Sequence, residues 1–191
     1  MRKILLIILG CIVFYTSNAQ TKPGTTNSTP IPVSFLNFKL GTKLKDFNLK
    51  YPDKIPTDYG WWILFGSVIE YSGFNPVYKF DSLQTKSGDK VKIYLSFYNN
   101  NLALITVAYD NGLFAAKDVL TALRNKYGRE TSSYYYDQTD QIQNYVWKNS
   151  SSIMNYQYIE NLGDLRILIA DKGVQNLLKK KNATNASKSI E

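Results

Sequence analysis

Residues 90–98, KVKIYLSFY, carry the clearest strand pattern in the chain and decide its fold class. Four apolar residues alternate with polar or amphipathic ones along this segment: Val91, Ile93, Leu95 and Phe97. Because successive side chains of a strand point to opposite faces, the alternation predicts one core face and one amphipathic face. The asparagines at 99–101 suit a hairpin loop. Residues 102–109 then predict the partner strand, which is apolar on both faces and therefore needs cover on its second side.

The segment after this hairpin predicts the main helix, residues 113–127, which would supply that cover. Apolar side chains recur there at helical spacing and form one stripe: Leu113, Ala116, Leu120, Leu123 and Tyr127. Asn111 is a suitable N-cap. Gly128 follows the last turn, where a left-handed residue is favoured.

Further strands are predicted at residues 61–71, 77–83, 141–148, 153–160 and 165–170, with a polar loop at 129–140. Short helices are predicted near 43–51 and 173–181. The connections between successive strands are short, which favours antiparallel pairing. The sequence therefore predicts an α+β fold, with a curved, mainly antiparallel sheet of about seven strands and one main packed helix at 113–127.

The first nineteen residues have the layout of a signal peptide. Arg2 and Lys3 precede an apolar run at 4–15, and small residues at 17 and 19 predict cleavage before Gln20. The run is shorter than the roughly 20 residues that a membrane span requires. A lipoprotein signal at Cys11 is an alternative, although the apolar run continues after that cysteine. We therefore expect a periplasmic or secreted protein.

The predicted domain organisation follows from composition. Residues 20–34 hold three prolines and many hydroxyl side chains, which is typical of a disordered linker. Residues 35–181 form a single α+β domain, and residues 182–191 form a disordered polar tail. After cleavage no transmembrane segment is expected.

The absence of two residue types excludes several chemistries. The chain has no histidine, and its single cysteine, Cys11, leaves with the leader. Catalytic triads, cysteine nucleophiles and metal sites built from imidazole or thiolate are therefore excluded. We expect neither a cofactor nor a metal. Carboxylate pairs remain, and glycoside hydrolysis needs two of them. The available carboxylates, with no spacing that singles out a pair, are Asp58, Glu70, Asp81, Asp137 and Asp140.

The chain is basic. Its formal net charge is +8, or +6 once Arg2 and Lys3 are removed with the leader. Lys179, Lys180 and Lys181 concentrate part of this excess near the C-terminus, which allows docking to an anionic surface. Solubility alone is an equal explanation. Export makes nucleic acid an unsuitable partner.

Two aromatic clusters are the candidate binding residues. Tyr134, Tyr135 and Tyr136 fall in the predicted polar loop, and tyrosine offers rigid amphipathic contact area for proteins or glycans. The alternative is the start of a strand, with alternate tyrosines packed on the sheet. Trp61 and Trp62 point to opposite faces of their predicted strand, so at most one would be an exposed stacking platform.

These observations favour an exported, non-catalytic binding or interaction domain, whose partner would be an envelope protein or a glycan. Export, the missing catalytic side chains and the abundant tyrosine support this interpretation. One alternative is a carboxylate-dependent hydrolase that acts on envelope glycans. Another is a basic protein that docks to anionic envelope surfaces through Lys179–Lys181.

Overall fold

A computed structural model describes residues 30–57, 62–64, 67–69, 74–136, 141–171 and 173–174. Within these residues the chain forms one seven-stranded sheet, two two-stranded sheets and two α-helices. The predicted α+β fold with a mainly antiparallel sheet of about seven strands is confirmed. The curvature of that sheet stays a prediction.

The elements before the main sheet are short. They are β1 (Ser34–Phe35), β2 (Phe38–Lys39), α1 (Leu44–Lys50), β3 (Trp62–Leu64) and β4 (Ser67–Ile69). The predicted helix near 43–51 is therefore present as α1. The single strand predicted at 61–71 is wrong, because β3 and β4 pair antiparallel with each other as a separate two-stranded sheet.

Within the described residues the main sheet contains seven strands, and the long helix connects two of them. Its elements are β5 (Val77–Gln84), β6 (Lys90–Tyr98), β7 (Asn101–Tyr109), α2 (Gly112–Tyr127), β8 (Ser132–Tyr136), β9 (Ile142–Lys148), β10 (Ser152–Ile159) and β11 (Asp164–Asp171). The spatial order is β5-β6-β7-β11-β10-β9-β8, and every neighbouring pair is antiparallel. The polar loop predicted at 129–140 is therefore wrong in part, because β8 lies within it.

The sheet consists of two antiparallel meanders that meet in the middle. One is β5-β6-β7 and the other is β8-β9-β10-β11, and β11 pairs with β7. Helix α2 carries the chain from β7, near the centre, to β8, at the margin. The topology therefore makes β8 one edge of the sheet and β5 the other.

Helix α2 packs on one face of the sheet, above the main apolar core. The Tyr156 hydroxyl in β10 donates to the Ala116 carbonyl of α2, with an O–O distance of 3.0 Å. On the same face, the α1 residue Phe47 lies 4.6 Å from Tyr78 and 5.2 Å from Phe97 between ring centroids. Burial of a side chain of this size contributes about 2 kcal/mol.

The predicted stripe of α2 is correct in its middle and at its end, but not at its start. Ala116 and Tyr127 are buried, whereas Leu113 is 60% exposed. The first turn approaches the sheet through Gly112, where an added Cβ would lie 2.4 Å from the Gly163 carbonyl oxygen. This close contact leaves Leu113 outside the core. Asn111 is the N-cap residue but makes no side-chain cap hydrogen bond.

The opposite face of the sheet has a second, smaller apolar cluster. Its members include Phe74, Leu104, Leu168 and Val174. Gly173 and Val174 are helical, and the rest of the helix predicted near 173–181 lies outside the described residues. Strand β6 is buried on both faces near its end, since Ser96 is 1% exposed. No helix in the described part of the chain is long and apolar enough to cross a membrane.

Candidate functional site

The tyrosine cluster lies on the edge strand β8. Tyr134, Tyr135 and Tyr136 are paired with Asn144, Gln143 and Ile142 of β9. Among the described residues, no strand pairs with the other side of β8. A row of backbone N–H and C=O groups therefore remains unpaired there, which makes an edge strand a template for another chain.

The other edge of the sheet is protected by several devices. The backbone N–H of Thr57 donates to the Val77 carbonyl over 2.8 Å, and the Lys54 ammonium donates to the Lys79 carbonyl over 2.9 Å. A charged pair, Lys79 and Asp81, lies on β5 with an N–O distance of 2.8 Å. The pairing register of β5 also shifts between Phe80 and Leu83. Charges, bulges and covering segments all discourage the addition of a strand.

Strand β8 has none of the corresponding features along its described length. Its sequence, Ser-Ser-Tyr-Tyr-Tyr, contains no charged residue and no proline, and its register with β9 is continuous from Ser132 to Tyr136. Ser132 and Ser133 are exposed, and Tyr135 is 54% exposed. Within the described ranges the two edges of the sheet therefore differ, and β8 is the edge that no described segment covers.

The three tyrosines do not form a single platform. Tyr135 lies on the same face of the sheet as α2, whereas Tyr134 lies on the opposite face beside Asn144. Partial desolvation and the negative charge of Glu160 raise the pKa of the Tyr135 phenol. Desolvation alone raises the pKa of Tyr134 to about 12.

A buried amide cluster, which sequence reasoning missed, adjoins Tyr134. It consists of Asn144, Asn155 and Gln157, each at most 1% exposed. The Oδ1 atom of Asn144 accepts hydrogen bonds from the side-chain amides of Asn155 and Gln157, over 3.2 and 3.3 Å. These residues face away from α2, on the same face as Tyr134.

The amide cluster leaves hydrogen-bonding capacity unused. Within the described part of the chain, Tyr134 Oη, Asn144 Nδ2 and Asn155 Oδ1 are buried without a hydrogen-bond partner. Each such group costs about 1–3 kcal/mol. The cluster therefore opposes folding, and a substitution that removes one of these atoms should reveal that cost.

A groove lies at the start of β8. It has a volume of about 560 Å³ and is lined by Pro30, Ile31, Tyr127, Gly128, Arg129, Thr131, Trp147, Lys148 and residues 149–151. Among the described residues that line it, two side chains are cationic, Arg129 and Lys148, and none is a carboxylate. The Trp147 indole N–H donates to the Gly128 carbonyl over 2.9 Å, so two of the lining residues are bound to each other.

The other candidate residues are placed as follows. Trp62 belongs to β3, but the structure does not describe its side chain. Trp61 and Lys179–Lys181 lie outside the described residues. Of the candidate carboxylates, Asp81 is ion-paired with Lys79, and Asp58, Glu70, Asp137 and Asp140 lie outside the described residues. The described residues contain no group of three or more potential metal ligands from His, Cys, Asp and Glu. The hydrolase and the lysine-mediated docking therefore stay predictions.

No protein-family model, no curated protein and no solved structure matches this chain.

Proposed function

We propose that this chain is an exported, non-catalytic interaction domain that binds an extended segment of an envelope protein along β8. The observation that supports it is the bare edge: β8 is uncharged, contains no proline and keeps a continuous register, while the β5 edge is covered and charged. In β-strand addition, main-chain hydrogen bonds provide the affinity and alternate side chains provide the specificity.

The side chains of β8 suit this role. Ser133 and Tyr135 are exposed on the face that carries α2, so a partner's side chains on that face would contact them. Tyrosine offers a large contact area and loses little conformational entropy on binding. Tyr134, on the other face, is half-buried and anchors the strand to the sheet instead.

The second part of the proposal is export, which depends on cleavage of the predicted signal peptide. If residues 1–19 are removed, the chain recovered from the cell envelope or the medium should begin at Gln20. Intact mass measurement and N-terminal sequencing check this directly. Recovery of a chain that retains Met1 from the cytosol would contradict it.

The binding experiment uses the mature chain and a library of short, unstructured peptides that is selected for binding. We expect the selected peptides to slow hydrogen exchange of the β8 backbone amides, because new interstrand hydrogen bonds protect them. Ser133→Lys should weaken binding at least tenfold, since a lysine on an edge strand opposes strand addition. The control, Asn125→Lys, adds the same charge on the exposed side of α2 and should bind unchanged.

Two outcomes would overturn the proposal. One is that the peptides bind without protecting any amide of β8. The other is that Ser133→Lys binds as tightly as the unmodified chain. Tyr135→Ser separates the backbone from the side-chain contribution, because it removes the exposed ring and keeps the strand.

A further inference from the structure

The groove and the edge strand are continuous. Thr131 lines the groove and immediately precedes Ser132, the first residue of β8. The Thr131 hydroxyl accepts the backbone N–H of Lys148 over 3.1 Å, which holds the end of β9 beside this point. A segment that lies along β8 and extends beyond Ser132 would therefore approach Thr131 and the groove.

The groove favours a negative charge. Arg129 and Lys148 are both exposed, and neither forms an ion pair with any described residue. The neighbouring carboxylate, Glu130, is bound to the Arg124 guanidinium over 2.8 and 3.0 Å and does not line the groove. The hydrogen bond with Arg124, with smaller contributions from the charges of Arg124 and Arg129, lowers the pKa of Glu130, so the carboxylate stays ionised.

Nearby acceptors are already occupied. The Gly128 carbonyl accepts the Trp147 indole N–H, and Asn149 Oδ1 accepts the backbone N–H groups of Ser151 and Ser152 over 2.9 and 2.7 Å. The described part of the lining thus presents two cations, whereas these acceptors already bind other groups of the chain. Hydrogen bonds from arginine or lysine to a carboxylate are charge-assisted and stronger than neutral ones.

The direction of β8 then decides which end of the partner lies in the groove. Strand β8 runs from Ser132 to Tyr136, and every neighbouring pair in its sheet is antiparallel. A segment added antiparallel would end, at its C-terminus, beside Ser132. A parallel segment would bring its positively charged N-terminus toward Arg129 and Lys148, which is unfavourable.

Building on the proposed function, we infer that the partner segment is a C-terminal tail. It adds antiparallel to β8, and its terminal carboxylate is held by Arg129 and Lys148 in the groove. This names the class of partner as well as its direction: a protein whose extended C-terminus is free.

The test compares two forms of the same short peptides, one with a free terminal carboxylate and one with a terminal amide. We expect the free acid to bind about tenfold more tightly, as for the gain of a charge-assisted hydrogen bond. In Lys148→Gln and Arg129→Gln this preference should shrink, while the amide form still protects the β8 amides. The control Lys117→Gln removes one exposed positive charge from α2 and should keep the full preference.

The outcomes separate this inference from the proposed function. Equal binding of the two forms, with the β8 amides protected, would overturn the C-terminal assignment and leave strand addition intact. If neither the free-acid peptides nor the amidated peptides bind the unmodified chain, the C-terminal assignment and the proposed strand addition are both overturned. Binding of inorganic phosphate at Arg129 and Lys148, without competition against the free acid, would indicate an independent anion site and also overturn the inference.

Discussion

Tyrosine-to-phenylalanine substitutions at two positions with buried hydroxyl groups should have opposite effects on stability. Tyr156 and Tyr134 lie on β10 and β8 of the same sheet, and each places its hydroxyl in a buried environment. The Tyr156 hydroxyl donates to the Ala116 carbonyl of α2 over 3.0 Å. The Tyr134 hydroxyl has no partner among the described residues. Each change removes one oxygen atom and keeps the ring.

The magnitudes follow from the hydrogen bonds. Tyr156→Phe loses a buried hydrogen bond to α2, which should lower the free energy of unfolding by about 1 kcal/mol. Tyr134→Phe removes a buried polar atom that gains nothing on folding, which should raise that free energy by about 1 kcal/mol. We take the lower end of the range for Tyr134 because its side chain is only half-buried. The two variants should therefore differ by about 2 kcal/mol.

Urea unfolding of the mature chain, followed by tryptophan fluorescence, measures both variants. The midpoints should move in opposite directions with unchanged slopes, since neither change alters the surface exposed on unfolding by much. If Tyr134→Phe destabilises the chain as much as Tyr156→Phe does, the Tyr134 hydroxyl has a partner in solution. That result would refute the assignment of unused hydrogen-bonding capacity to this side of the amide cluster.

Two further predictions concern packing and pH. Gly112→Ala should lower the free energy of unfolding by about 2 kcal/mol, because its Cβ would lie 2.4 Å from the Gly163 carbonyl oxygen. Gly88→Ala should lower the same free energy by only about 1 kcal/mol, because Gly88 has φ +92° but the space around an added Cβ is open. Equal losses of unfolding free energy in the two glycine variants would contradict this prediction. Desolvation raises the pKa of Tyr109 and Tyr134 to about 12 from an ordinary 10.0, with Asp89 adding to the effect at Tyr109. As the pH rises, the unfolded state therefore loses its tyrosine protons before the folded state does. The free energy of unfolding that is present below pH 10 should fall between pH 10 and 12, and urea midpoints measured across that window check this.

The sequence predicted most strands of the main sheet, including β7 and β10, which are buried on both faces, but it did not predict the break within the run at 61–71. Strand β6 alternates without exception, and its predicted core residues are all buried. The run at 61–71 is apolar throughout, so it carries no signal for where a strand ends. The chain divides it into β3, which ends at Leu64, and β4, which begins at Ser67.

Strand β8 was predicted as a polar loop, with the start of a strand as the alternative, and the ambiguity has a different physical reason. An edge strand is held by backbone pairing on one side and need not bury a full apolar face. Its Ser-Ser-Tyr-Tyr-Tyr sequence therefore resembles a polar loop. The candidate tyrosines were found from composition, but their separation onto two faces required the register with β9.

The amide cluster could not be predicted from sequence. Strand β10 is buried along its whole length, on both faces. Asn155 and Gln157 therefore look like the solvent-facing residues of a half-buried strand, although both are fully buried. Only the sheet order, which places β10 between β9 and β11, makes their burial evident.

The contrast between the two edges also bears on function. The topology forces β8 to an edge, because α2 carries the chain from the central strand β7 to the margin. A bare edge invites aggregation, and the β5 edge shows that this fold can accommodate charges and covering contacts. If the unpaired edge of β8 has no binding function, Ser133→Lys should improve solubility and leave every binding property unchanged. If β8 binds a partner strand, the same lysine should improve solubility and also weaken binding at least tenfold, so one variant distinguishes the two explanations.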